Sequence, residues 1–228
     1  MNILIIGATS GIGQYLWKHF SSTGNMVSVI GRRSDVLNEM TKTAPHNTVP
    51  IPCDIADLEA FDKAFTNIID KFNTIDLIIL CAGIGELNHE LDIETELHTV
   101  NVNVAGWTNC VDTAYNQFRK QGFGHLVTIT SVGGLQPTPI APSYSASKAF
   151  QINYTKSLQK KSNNTNIIIT EIRPGLIDTR MAKGDRLFWV MSPDRVVASI
   201  IKAIEKKRKR LIVDRRWRLI NFFLKHFQ

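Results

Sequence analysis

The chain has 228 residues, 43% of them hydrophobic and 21% charged, which suits one large domain with a sizeable core. No apolar run is long enough to span a bilayer, and the N-terminus opens a strand at once with no basic region or cleavage site, so neither a transmembrane helix nor a signal peptide is expected. The net charge of +7 is concentrated at the end: residues 202–228 hold ten Lys/Arg against Glu205 and Asp214, a net of +8, so the remaining body carries −1 and the basic balance says nothing about the core function.

Asn2 to Ile6 is a continuous apolar run, as expected for a strand buried on both faces of a parallel sheet. Gly7-Ala-Thr-Ser10-Gly11-Ile12-Gly13 follows, then a helical pattern from Gln14 to Thr23. A strand, a glycine-rich turn and a helix N-terminus make a phosphate site, because small residues admit a close ligand and the helix start offers N–H groups. Met26 to Ile30 reads as a second strand that ends in Gly31-Arg32-Arg33. An acidic residue here would bond a ribose 2′-hydroxyl, whereas an Arg accommodates a 2′-phosphate. Two guanidiniums and no carboxylate favour NADP(H) over NAD(H); two solvated loop arginines are the competing reading.

Further along, strands are expected at Thr48–Ile51, Ile75–Leu80, Leu126–Thr130, Asn166–Ile172 and Arg210–Val213. Helices are expected at Asp57–Lys71, about 95–120, about 143–160 and from Ser192-Pro193 onward, where Ser at the N-cap and Pro at the first turn signal a start. The long helix carries Asn101, Asn103 and Gly106; Asn is unfavourable inside a helix, so at least one of the two is retained for a reason. Alternating strands and helices predict a single Rossmann-like α/β domain over residues 1–213, with a doubly wound parallel sheet and helices on both faces. Residues 214–228 form a separate basic and aromatic tail.

The chemistry gathers around Ser131, Tyr144 and Lys148. Tyr144 and Lys148 are four apart and share one helix face. An ammonium beside a phenol favours the phenolate, so the expectation is a lowered Tyr144 pKa. Ser131 ends a strand, and open α/β sheets bind ligands at the carboxyl ends of their strands. Cys53, Cys81 and Cys110 are too far apart for a disulfide framework or a zinc site and point to a reducing cytoplasm. The six histidines show no metal spacing.

In this order and spacing the motifs resemble the classical short-chain dehydrogenase/reductase family over essentially the whole chain. The resemblance implies that Gly7, Ser10, Gly11, Ile12 and Gly13 form the cofactor turn and that Asp54, with Ile55, contacts the adenine. It likewise implies cofactor contacts from Ala82, Gly83, Tyr144 and Lys148, with Pro174, Gly175, Ile177 and Thr179 flanking the nicotinamide. Asn103, Ser131, Tyr144 and Lys148 match the catalytic set: Tyr144 as general acid and base, Lys148 tuning it and binding the ribose, Ser131 on the substrate oxygen, and Asn103 holding a water. Leu80 and Cys81 stand where the family has two Asn, and Ile6 where it usually has Thr.

The implied activity is hydride transfer between a small-molecule ketone or aldehyde and its alcohol; a catalytically idle nucleotide-binding protein is the alternative. Leu135, Gln136, Leu176, Met181 and Phe188 are expected to line a mostly apolar pocket. The glycine-rich ending of many tetrameric members is missing, so the tetramer is not carried over and a homodimer stays open. In the tail, Trp217, Ile220, Phe223, Leu224 and Phe227 fall at helical spacing. They either pack on protein or lie weakly in an anionic membrane surface beside the arginines. No nucleic-acid partner is expected.

Overall fold

The structure is a computed structural model, and it describes residues 1–178, 189–213 and 216. Seven strands alternate with seven α-helices: β1 (Asn2–Ile6), α1 (Gly11–Ser22), β2 (Met26–Gly31), α2 (Ser34–Thr43), β3 (Thr48–Pro52), α3 (Leu58–Phe72), β4 (Leu77–Leu80), α4 (Ile93–Val100), α5 (Trp107–Gln121), β5 (Gly124–Ile129), α6 (Pro142–Lys161), β6 (Ile167–Pro174), α7 (Pro193–Glu205) and β7 (Arg210–Val213). The sheet order is β3-β2-β1-β4-β5-β6-β7 and every pairing is parallel. The order reverses between β1 and β4, which opens a crevice above their carboxyl ends.

Strand alternation divides the core in two. Leu4 and Ile6 of β1 join Phe61, Trp107 and Phe118 on one face, while Ile3 and Ile5 join Leu16, Trp17, Val196 and Ile200 on the other. Both faces of β1 are thus covered by helices, and its continuous apolar run follows from that. The two edge strands are the least buried. β3 carries Pro50 and Pro52, which an edge strand tolerates because one side of its ladder is unpaired.

All seven expected strands are present, within two residues of their expected limits at nearly every end. Helix α2 is an addition to the expected elements; it buries only Leu37 and Met40. Residues 95–120 do not form one helix. α4 and α5 are joined by a π-helical segment, Asn101–Gly106, whose wider turn lets Gly106 sit directly against the carbonyl of Ile55. π-segments of this kind are frequent at functional sites. α3 begins as expected, with Asp57 capping it by accepting from the Ala60 N–H at 3.0 Å.

Thr179, Met181 and Phe188 lie outside the described residues, as do Trp217 and the remaining apolar positions of the tail. Arg216 is described, and its guanidinium carbon lies 5.7 Å from the centre of the Trp189 ring. Among the described residues no helix is long and apolar enough to cross a membrane.

Candidate active site

The glycine-rich turn is pinned from two sides. The N–H groups of Gly7 and Ala8 both donate to the Ile30 carbonyl at the end of β2, and those of Cys81 and Ala82 both donate to the Ile6 carbonyl at the end of β1. Gly7 has φ +86°, and a β-carbon there would come 2.5 Å from the Ala82 nitrogen. No other residue type fits that conformation and that contact. Ser10 is the N-cap of α1, yet its side chain makes no capping hydrogen bond. The first N–H groups of α1 are therefore left for an anion, as a dinucleotide phosphate would require. The turn, the uncapped helix start and the switch point fit a dinucleotide. Gly7, Ser10, Gly11, Ile12 and Gly13 would hold its phosphates.

At the far end of this crevice lie the two arginines. Arg32 Nη1 is 3.4 Å from Asp54 Oδ2, and both side chains are substantially exposed. Arg33 Nη2 donates to the Thr9 carbonyl at 2.6 Å. Asp54 also accepts from the Ala56 N–H at 3.0 Å, which shapes the turn that carries Ile55. Pro174 ends β6, and Gly175 follows it. Ile177 is buried and bridges to Met191.

At the near end, α6 presents Tyr144 and Lys148 one turn apart. Lys148 Nζ lies 5.8 Å from the centre of the Tyr144 ring. Lys148 is 5% exposed, and the absence of a side chain on Gly83 leaves room for its head: a β-carbon there would lie 3.3 Å from Nζ. Burial lowers the Lys148 pKa to about 8, because a cation loses its hydration there.

Tyr144 departs from the expectation. Its pKa is raised, with burial as the main cause, and the Ser131 side chain opposes this by hydrogen-bonding to it. A phenol of this kind stays protonated near neutral pH and is suited to giving a proton rather than taking one. Ser131 Oγ accepts from the Gly133 N–H at 3.0 Å, so its own hydrogen is left to point elsewhere.

Of the two asparagines in the π-segment, Asn103 is fully buried and Asn101 is exposed. The Asn103 amide is committed to protein. Its Oδ1 accepts from the Ile84 N–H at 2.8 Å, and Nδ2 donates to the Ile84 carbonyl at 2.7 Å and to Ser147 Oγ at 3.1 Å. It therefore clamps the loop after β4 to α6.

Of the expected pocket residues, Leu135 and Gln136 line a hollow of about 390 Å³ with Pro142, Ser145 and Ala149.

Two features were missed from the sequence. Gln151, three residues after Lys148, is fully buried and accepts from Lys148 Nζ at 2.9 Å. Helical spacing alone could have placed it on the Lys148 face. Glu171 and Arg173 form a fully buried bidentate ion pair, at 2.6 and 2.8 Å. The hydroxyl of Thr130, next to Ser131, also donates to Glu171 Oε1 at 3.1 Å. Their alternation on β6 puts both on one face, but nothing in the sequence signals that the face is buried.

Comparison with known proteins agrees with this geometry. A family model described as short chain dehydrogenase matches residues 1–187. An uncharacterized oxidoreductase of Mycobacterium tuberculosis is 30% identical over 220 residues, covering 92% of this chain and 87% of its own. Among solved structures, a short-chain dehydrogenase from Streptomyces avermitilis superposes with a TM-score of 0.88 at 21% identity, covering 99% of this chain and 93% of that one. The closed form of serine dehydrogenase complexed with NADP⁺ superposes with a TM-score of 0.82 at 23% identity, covering 89% and 88%. The chain belongs to the short-chain dehydrogenase family, oxidoreductases that work between CH–OH and C=O groups with NAD(P).

Proposed function

We propose that this protein reduces a small-molecule ketone or aldehyde with NADPH, with Tyr144 as the proton donor. The carrying observation is the convergence of Ser131, Tyr144 and Lys148 at the carboxyl end of β5, above the switch point. When bound, the nicotinamide cofactor supplies the hydride. Ser131 donates to the substrate oxygen and stabilises the charge that develops there. Tyr144, kept protonated by burial, gives its phenolic proton to that oxygen. The Lys148 ammonium then stabilises the phenolate left behind. The raised pKa of Tyr144 is consistent with its holding a proton to give near neutral pH.

The preference for NADPH rests on Arg32 and Arg33. The Arg33 guanidinium is held against the glycine-rich turn by Thr9, and no carboxylate ends β2 to bond a 2′-hydroxyl. A fold neighbour complexed with NADP⁺ is in keeping with this. The three cysteines are free, and two of them are buried, which supports a reducing, cytoplasmic setting.

The test is NADPH oxidation against a panel of ketones, aldehydes and diketones, run with the wild type and with Tyr144→Phe. The expected result is turnover by the wild type and a fall in kcat of at least about a hundredfold in the variant, as loss of a general acid implies. Wild-type NADPH binding with no turnover of any carbonyl would favour an idle nucleotide-binding protein. Near-normal turnover by Tyr144→Phe would remove Tyr144 from the role.

A further inference from the structure

Gln151 is an amide with no exposed surface, on a helix face that otherwise meets the core. Burying an amide is costly unless its groups are bonded. Here they are. Oε1 accepts from Lys148 Nζ at 2.9 Å, and Nε2 donates to the main-chain carbonyl of Asn103, also at 2.9 Å. The π-segment makes this carbonyl available. In an α-helix its donor would be the N–H of Trp107, four residues on. That N–H goes instead to the carbonyls of Val102 and Val104. An ammonium can only donate and a carbonyl can only accept, so a side chain joining the two must do both. Glutamine does so; a carboxylate would face the carbonyl with no hydrogen, and an apolar residue would leave both partners unpaired.

We propose that Gln151 is the positioning residue for Lys148: it links the ammonium to the π-segment through the Asn103 carbonyl, fixes one of the three N–H groups on the buried side, and leaves the other two for the open side where Tyr144 lies. This deepens the reading of Lys148 as the residue that supports Tyr144, and rests on it. The bridge also fills with protein the space through which water would otherwise approach the ammonium from behind. The groups that face Lys148 are few. From α6 there is the neutral phenol of Tyr144. From the end of β4 there is Cys81, whose thiol burial pushes up to about 12 and so keeps uncharged. Gly83 and Asn103 bring no charge. Gln151 is thus the polar group in direct contact with the ammonium, through the 2.9 Å hydrogen bond that Nζ donates to it, and an acceptor bonded to an ammonium favours its charged form.

The experiment uses the full chain labelled with [ε-¹³C]lysine, with Lys148→Arg to assign the resonance. Lys148 is titrated by NMR in the wild type, Gln151→Met and Gln151→Glu. A hydrogen bond to a charged group is worth enough to move the midpoint by about one pH unit. The midpoint is expected to fall in Gln151→Met and to rise in Gln151→Glu. In the wild type the Gln151 side-chain amide resonances should titrate with the Lys148 midpoint, a measurement that needs no variant to fold. With 2,3-butanedione as probe substrate and NADPH, the pH profile of kcat should move in the same two directions, while the KM for butanedione stays within about twofold. Unchanged Lys148 midpoints in both variants, or no co-titration of Gln151 in the wild type, would overturn the proposal. Failure of the catalytic reading is separable: co-titration with no turnover of any carbonyl leaves Gln151 in place and removes the reductase function.

Discussion

A β-carbon at Gly85 would lie 2.9 Å from Cδ2 and Cε2 of Tyr144. The loop after β4 therefore lies against the Cδ2–Cε2 edge of the phenol ring, and Gly133 approaches the other edge, where a β-carbon would come 3.2 Å from Cε1. Two glycines from different loops hold the Tyr144 ring between them. Gly85→Ala should push the ring out of line while leaving the core untouched. The expected outcome is a fall in kcat of about tenfold or more, since a misplacement near 1 Å can cost up to about a hundredfold, with a melting temperature within a few degrees of wild type. Steady-state kinetics beside a thermal melt decides it. A fully active variant would mean that the ring has room to move.

The buried Glu171–Arg173 pair should behave as a paired charge that tolerates no separation. Arg173→Met leaves a carboxylate in the core with Thr130 as its only side-chain donor among the described residues. Breaking such a pair costs about 3–5 kcal/mol, whereas replacing both members by apolar residues is often close to neutral. Urea unfolding of Arg173→Met and of Glu171→Leu/Arg173→Met should show the double variant recovering most of the loss. Equal destabilisation in both would mean that packing, not charge, sets the effect. Because Thr130 precedes Ser131, the single variant should also lower activity more than the double.

Arg32 offers a guanidinium at the end of β2 that is half exposed and only loosely held by Asp54 at 3.4 Å. If it meets a 2′-phosphate, Arg32→Ala should weaken NADPH binding by roughly tenfold, a modest share of a charge-assisted contact in a solvated place. NADH affinity should barely change. Fluorescence titration with both nucleotides measures this directly. Equal or tighter NADH binding by the wild type would reverse the assignment.

His125 is buried at the start of β5, with Nε2 at 2.8 Å from Thr170 Oγ1. Burial lowers its pKa to about 4, and Lys207 adds to the shift. The folded value lies below the ordinary 6.5, so between these limits the unfolded chain binds more protons than the folded one. The stability contributed by neutral His125 is present above about pH 6.5 and is lost as pH falls through about 4, up to roughly 3 kcal/mol. His125→Gln cannot titrate, and its stability should fall less steeply over that interval. Parallel slopes in denaturant melts from pH 7 to 4 would assign the acid sensitivity to other groups.

Much of this protein could be read directly from its residues. The apolar run of β1, the glycine-rich turn and the start of α1 are local features, and local spacing sets them. The same holds for Tyr144 and Lys148, four apart on α6, for the Ser192-Pro193 helix start, and for the parallel sheet implied by alternating elements. α2 escaped because its apolar positions, Val36, Leu37 and Met40, are few, although they fall at helical spacing. The π-segment escaped because a single shift in hydrogen-bond spacing leaves no mark on hydrophobic pattern. Only the fold could bring Gln151 within reach of Asn103, forty-eight positions away, or close Glu171 and Arg173 off from water. The direction of the Tyr144 shift belongs with these. Spacing placed an ammonium beside the phenol, but the pKa depends on how much water the whole tertiary structure excludes, and burial is the main cause of the upward shift.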